Sequence, residues 1–440
     1  MRMGFVVTEH RITVPLDHFG TQQTRAADAA AGLPSTITVF AREIRADEND
    51  RRPILLYLQG GPGSPSPRVG DGGPSWLDTA LKRFRVLFLD QRGTGLSTPV
   101  DEVTLAGLSD SARARWMELL RADQIVADAE ALRADIQGDE PWYTLGQSFG
   151  GFITLVYLSA APEALRGCFV TGGLAGLTDV DTIYRETYRL TAARNRQFFA
   201  DHPGTERWVR DVARHVRDTE EHLASGETLT VDRLRGIGVA LGTRAGSDSL
   251  LNLMEDPFVE VAGHRRLSGR VLASLSESLS YQSAPLYAAI HESIYAGAVA
   301  SAQGRPTAWA AARLRDEVPG FGADADPGDD TQPFCLFGEH IMPSLFLTDP
   351  ALRPLRGAAH LLADKTDWPI LYREDVLDGI GKRIPIHAAV YEADMFVPRD
   401  LSLDTARLVG AKTWRNDNLH DGLRVTDGAV LEHLLVEAGL

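Results

Sequence analysis

A serine with glycines two positions away on either side, Gly146-Gln-Ser148-Phe-Gly150, is the first arrangement in this 440-residue chain able to do covalent chemistry. Small neighbours are required there when a serine sits on a tight strand-to-helix turn, because the backbone is strained and the following helix packs close. The hydroxyl becomes a nucleophile only when a base takes its proton, and an imidazole base needs a carboxylate to hold its tautomer. Where such a serine comes first in sequence, the carboxylate comes next and the histidine last. Val390-Tyr-Glu-Ala-Asp394, followed by Asn418-Leu-His420-Asp-Gly422, meets that order, so Asp394 is expected to orient and His420 to act as general base. His360 is the rival imidazole but precedes Asp394, and Glu392 is the rival carboxylate, on a strand rather than in the loop after it. His215 and His222 fall in helical patterns, and His387 lies inside a strand. A tetrahedral intermediate also needs donors for its oxyanion. The expected pair is the amide of Phe149, just after the nucleophile, and that of Gly61 in Gln59-Gly-Gly-Pro-Gly63.

The elements that must hold these residues are legible as short apolar runs, each ending in a turn. Ile54–Leu58 leads into Gln59–Gly63, Val86–Leu89 into Asp90–Gly95, and Trp142–Leu145 into the serine turn. Taken alone, the serine pattern has low specificity; a strand before it and a helix over Phe152–Ala161 after it supply the context. Arg11–Pro15, Thr36–Ile44, Cys168–Val170, Pro385–Tyr391 and Lys412–Trp414 read as further strands, and Ile125–Ile136 as an amphipathic helix. Nearly continuous apolar strands alternating with helices indicate a mostly parallel sheet covered on both faces. From about Asp181 to Val318 helical patterns dominate: Ile183–Phe199, Glu206–Ala224, Arg266–Leu279, Pro285–Ala300 and Thr307–Glu317. The expected organisation is therefore an α/β core over 1–178, an inserted helical cap over 179–345 and a second core segment over 346–440.

Composition narrows the function classes. The net charge of −15 argues against nucleic acid, whose backbone is bound by clustered Lys and Arg. An acidic pocket would instead favour a cationic substrate such as a free amino terminus. The two cysteines, Cys168 and Cys335, form no CxxC pair and read as buried apolar residues. No run long enough to span a membrane and no secretory leader is visible, so a cytoplasmic location is expected, with homo-oligomerisation left open. His291-Glu292 is not followed by the second histidine of a zinc helix, and no phosphate-binding loop occurs, so neither a metal nor another cofactor is expected.

Gln59-Gly-Gly-Pro-Gly63, Asp90-Gln-Arg-Gly-Thr-Gly-Leu-Ser97 and Gly146-Gln-Ser-Phe-Gly-Gly151, in that order, resemble the prolyl aminopeptidase (proline iminopeptidase) family of α/β-hydrolases. The longer bacterial form with its large helical cap is the closest in pattern. The resemblance implies an α/β-hydrolase fold and release of an N-terminal residue, preferentially proline, through an acyl-enzyme. It also implies that acidic side chains of the cap hold the substrate's free amino terminus, and Glu255, Glu292 and Glu339 are the candidates. Asp90 and Arg92 are expected to brace loops rather than react. An esterase, amidase or lactonase acting on small molecules with the same triad is the alternative.

Overall fold

The computed structural model describes residues 4–69 and 73–440. Among them, the ten strands are β1 Val6–Pro15, β2 Thr36–Arg45, β3 Ile54–Leu58, β4 Arg85–Asp90, β5 Trp142–Gln147, β6 Leu165–Thr171, β7 Phe258–Val261, β8 His264–Leu267, β9 Ile386–Tyr391 and β10 Lys412–Asn416. Eight form one sheet in the order β1-β2-β4-β3-β5-β6-β9-β10. Neighbours from β4 through to β10 pair in parallel, while β2 is antiparallel to both β1 and β4. β3 explains the architecture in miniature. All five of its side chains are buried, and strand alternation sends Ile54, Leu56 and Leu58 into one apolar core and Leu55 and Tyr57 into another on the opposite face. A strand with no polar side cannot sit at a solvent-facing edge.

Between β6 and β9 the regular structure is helical apart from one hairpin, with a long irregular stretch between Glu317 and Leu345. Helix Val180–Asp201 opens this block with Asp179 as its N-cap, and helix Thr205–Asp218 follows. The expected helix from Arg266 instead begins at Gly269, because β7 and β8 pair antiparallel across Ala262-Gly263, both at positive φ. That strand pair is largely solvent-exposed, and each strand has only four residues, too few to announce it. The expected helix over Pro285–Ala300 stops at Ile290, passes through a short 3-10 turn at Glu292–Ile294, and meets Gly297 at φ 55°. No helix among the described residues is long and apolar enough to cross a membrane.

Arg92, at the turn after β4, is fully buried and forks onto Asp128 at 2.6 and 2.7 Å while donating to the carbonyls of Leu16 and Leu119. His18 meets the same carboxylate at 2.7 Å. The turn bearing Arg92 is thus tied to the N-terminal segment and to helix Ala122–Gln137, as bracing requires. Removing one partner of a buried ion pair leaves the other uncompensated. Arg92→Met is expected to lower unfolding free energy by about 3–5 kcal/mol in urea titration; a loss under about 1 kcal/mol would place the brace elsewhere.

Candidate active site

The parallel strands deliver their C-terminal ends to one edge of the sheet, and the three residues singled out for covalent chemistry emerge there. β5 ends at Gln147, and Ser148 follows at φ 54°, ψ −125°, as the residue preceding helix Phe149–Ala160. A non-glycine residue in this region of backbone space is strained and must be held by its surroundings. The glycines provide the fit: a Cβ on Gly146 would strike the Gly150 carbonyl, one on Gly150 the Leu58 carbonyl, and one on Gly151 the Gly173 carbonyl. Ser148 is thereby locked where strand, helix and the neighbouring β6 turn converge.

β9 and β10 supply the other two. Asp394 is buried in the turn after β9; its Oδ1 accepts from the amides of Phe396 at 2.9 Å and Val397 at 3.0 Å. Its Oδ2 lies 2.8 Å from His420 Nδ1. With Nδ1 donating to that carboxylate, Nε2 is left free to accept a proton. The turn Gly172-Gly173 after β6 touches both the base and the serine: a Cβ on Gly172 would lie 3.2 Å from His420 Nδ1, and one on Gly173 would lie 3.0 Å from Ser148 N. The structure therefore brings Ser148, Asp394 and His420 into one cluster. Of the rivals, Glu392 is held by Arg399 and Arg415, and His360 accepts from Trp309 Nε1 at 3.1 Å in the helical region.

The oxyanion candidates fall beside the serine. Phe149 is the first residue of its helix, so its amide has no intrahelical acceptor. Gly60 packs directly on the nucleophile, a Cβ there lying 3.0 Å from Ser148 Cβ and 3.6 Å from Oγ, and the amide of Gly61 comes next in the chain.

The cap glutamates separate into three situations. Glu339 is half-buried and lines a cavity of about 130 Å3 with Tyr281, Tyr287, Phe337 and Met342. Burial raises its pKa, opposed by the charge of His420 and a hydrogen bond with Tyr287, so it lies within electrostatic reach of the base. Glu292 is buried, and its Oε1 accepts from the Ala311 amide at 3.0 Å, which caps helix Ala310–Leu314; burial raises its pKa, and its Oε2 has no hydrogen-bond partner among the described residues. Glu255 is exposed at the C-terminal end of helix Arg244–Met254, its carbonyl bound by Arg270. That helix starts against the His420 loop and spans 11 residues, about 16 Å.

Sequence reasoning missed a layer beneath the serine. Gln147 donates to the His420 carbonyl at 3.4 Å and accepts from Arg424 Nε at 2.9 Å. Tyr57 donates to Gln59 Oε1 at 2.7 Å, and Gln91 to the Gln59 carbonyl at 2.8 Å. The middle position of the serine motif was the available signal for Gln147; nothing local pointed to Arg424.

A serine on such a turn, a histidine paired with a buried carboxylate and two nearby amides define a serine hydrolase of the α/β-hydrolase class, built for acyl transfer. Residues 53–237 match the family described as alpha/beta hydrolase fold. A proline iminopeptidase of Aeromonas sobria is 39% identical over 437 residues, covering 98% of this chain and 96% of that one. The proline iminopeptidase aneH of Aspergillus aculeatus is 29% identical over 430 residues, covering 93% and 89%. The chain belongs to the proline iminopeptidase family.

The pKa of His420 gives the site a pH signature. Burial acts to depress it, but the charge and hydrogen bond of Asp394 and the charge of Glu339 raise it overall, with Arg424 opposing. Because the base works only when neutral, the acid limb of kcat/KM is expected above the ~6.5 of an unperturbed imidazole. Asp394→Asn should shift that limb to lower pH and cut kcat by roughly 10⁴-fold. A pH–rate profile with the wild-type limb at or below the unperturbed value would contradict this pairing.

Proposed function

We propose that this chain is an aminopeptidase that releases N-terminal proline from peptides by way of an acyl-enzyme on Ser148. Ser148 Oγ attacks the prolyl carbonyl as His420 Nε2 takes its proton, Asp394 steadies the imidazolium, and the amides of Phe149 and Gly61 receive the oxyanion. His420 then returns the proton to the departing amine, and water repeats the sequence to free proline. The observation that carries the substrate reading is Glu339, a half-buried carboxylate beside a small aromatic-walled cavity and within electrostatic reach of the base. A carboxylate there can hold an ammonium or imino group, which favours substrates with a free amino terminus. Tyr281, Tyr287 and Phe337 offer the flat apolar walls a proline ring needs.

Glu339 is the favoured amino-group ligand. Glu292, with one carboxylate oxygen already engaged, is a secondary one, and Glu255 drops out. The segment 179–345 is read as the cap that carries this pocket. Both cysteines are buried free thiols, which supports a reducing, cytoplasmic location.

The test is a pair of substrates differing only at the nitrogen. Proline 4-nitroanilide with a free imino group should be hydrolysed rapidly, and its N-acetyl counterpart should not; equal turnover of the two overturns the aminopeptidase reading. Glu339→Gln removes a charge-assisted bond worth about 1.5–3 kcal/mol, so kcat/KM for the free anilide is expected to fall roughly 10–100-fold. A variant within about 2-fold of wild type, on that same scale, would move amino-group recognition to another residue.

A further inference from the structure

Among the contacts between the cap and the catalytic loops, one turn meets the loop of the base. The 3-10 segment Gly236–Gly242 ends there, and Thr243 caps helix Arg244–Met254. Arg194, from helix Val180–Asp201, fixes the turn by donating to the Leu241 carbonyl at 2.8 Å. The Gly242 carbonyl accepts the backbone amide of His420 at 3.3 Å. Two residues on, the Arg244 amide approaches both carboxylate oxygens of buried Asp421, at 3.3 and 3.4 Å. A carboxylate at a helix start satisfies amides that have no intrahelical acceptor and is favoured by the helix dipole. The base loop is therefore pinned to the cap on both residues of His420-Asp421.

Phe396 completes the clamp. Its amide donates to Asp394 Oδ1 at 2.9 Å, and its ring meets the His420 imidazole edge-on, with centroids 5.1 Å apart at 89°. The same ring lies so close to Gly242 that an added Cβ would run into it. Orienter, imidazole and base backbone thus all bear, directly or through Phe396, on a single glycine of the cap.

We propose that the cap turn Leu241–Arg244 is a positioning element of the general base, with Gly242 and Asp421 as positioning residues that align His420 only while the cap is seated. Substrate capture in the cap pocket and alignment of the base then become one event. A misplacement of about 1 Å in a reacting group can cost on the order of 10²-fold in rate, and the tight contact at Gly242 makes displacements of that size unavoidable once the turn moves. The inference rests on Ser148, Asp394 and His420 acting as the triad, but not on the preference for proline.

The experiment measures kcat and KM for proline 4-nitroanilide and for 4-nitrophenyl acetate, a neutral ester that makes no use of the amino-group pocket. Ser148→Ala should abolish both activities; ester hydrolysis that survives it sinks the triad reading itself. In Gly242→Ala, kcat is expected to fall about 10²-fold on both substrates, with KM for the anilide little changed. Asp421→Ala is expected to lose roughly 10-fold in kcat, and Asp421→Asn to recover most of that loss, because its amide oxygen still accepts from Arg244. A folded Gly242→Ala enzyme with wild-type kcat on both substrates, or a loss confined to KM, overturns the proposal. Should Gly242→Ala not fold, a wild-type kcat in Asp421→Ala overturns it equally.

Discussion

A buried hydrogen bond of 2.8 Å between Asp394 and His420 is the constraint on which the rest of the site depends. Away from water, an unpaired carboxylate is costly, and so is an imidazolium. Pairing them makes each tolerable and fixes which imidazole nitrogen faces the serine. The carboxylate is held in turn by two backbone amides, so its position is set by the course of the chain after β9 rather than by a flexible side-chain contact. Neighbouring elements then have to be shaped around this pair. Gly172 leaves room for the imidazole, Gly422 for the Tyr391 ring, and Phe396 closes the remaining side.

Electrostatics extends from that pair into the cap. Asp394 and Glu339 both favour a protonated His420, while Arg424 counters them from the core side through its contact with Gln147. In the resting enzyme this arrangement keeps a basic imidazole beside a carboxylate with a raised pKa.

Local signals revealed much of this and long-range pairing hid the remainder. β3, β4 and β5 were legible because strands buried on both faces read as uninterrupted apolar runs, and the serine turn because only glycine fits around it. Asp394 and His420 followed from their order after the serine and their places beyond late strands. The cap was readable as helical, but its short, exposed hairpin β7–β8 gave too brief a pattern, and a Gly297 break cannot be told from a tolerated glycine without the backbone. Glu255, Glu292 and Glu339 have identical side chains. Only burial distinguishes the cavity-facing one from a helix-capping one and a solvated one, and burial is a property of the folded whole. Gln147 and Arg424 are separated by 277 positions, and Gly242 and His420 belong to different parts of the chain, so neither contact leaves a trace in spacing.

The most direct measurement is peptide mapping by mass spectrometry after brief exposure to a fluorophosphonate, which reacts only with a serine whose proton is being withdrawn. A single adduct on Ser148, formed rapidly in the wild-type protein and at a greatly reduced rate in His420→Ala, is the predicted result. An adduct on another residue, or labelling of Ser148 at an unchanged rate without the imidazole, would mean that His420 is not its base.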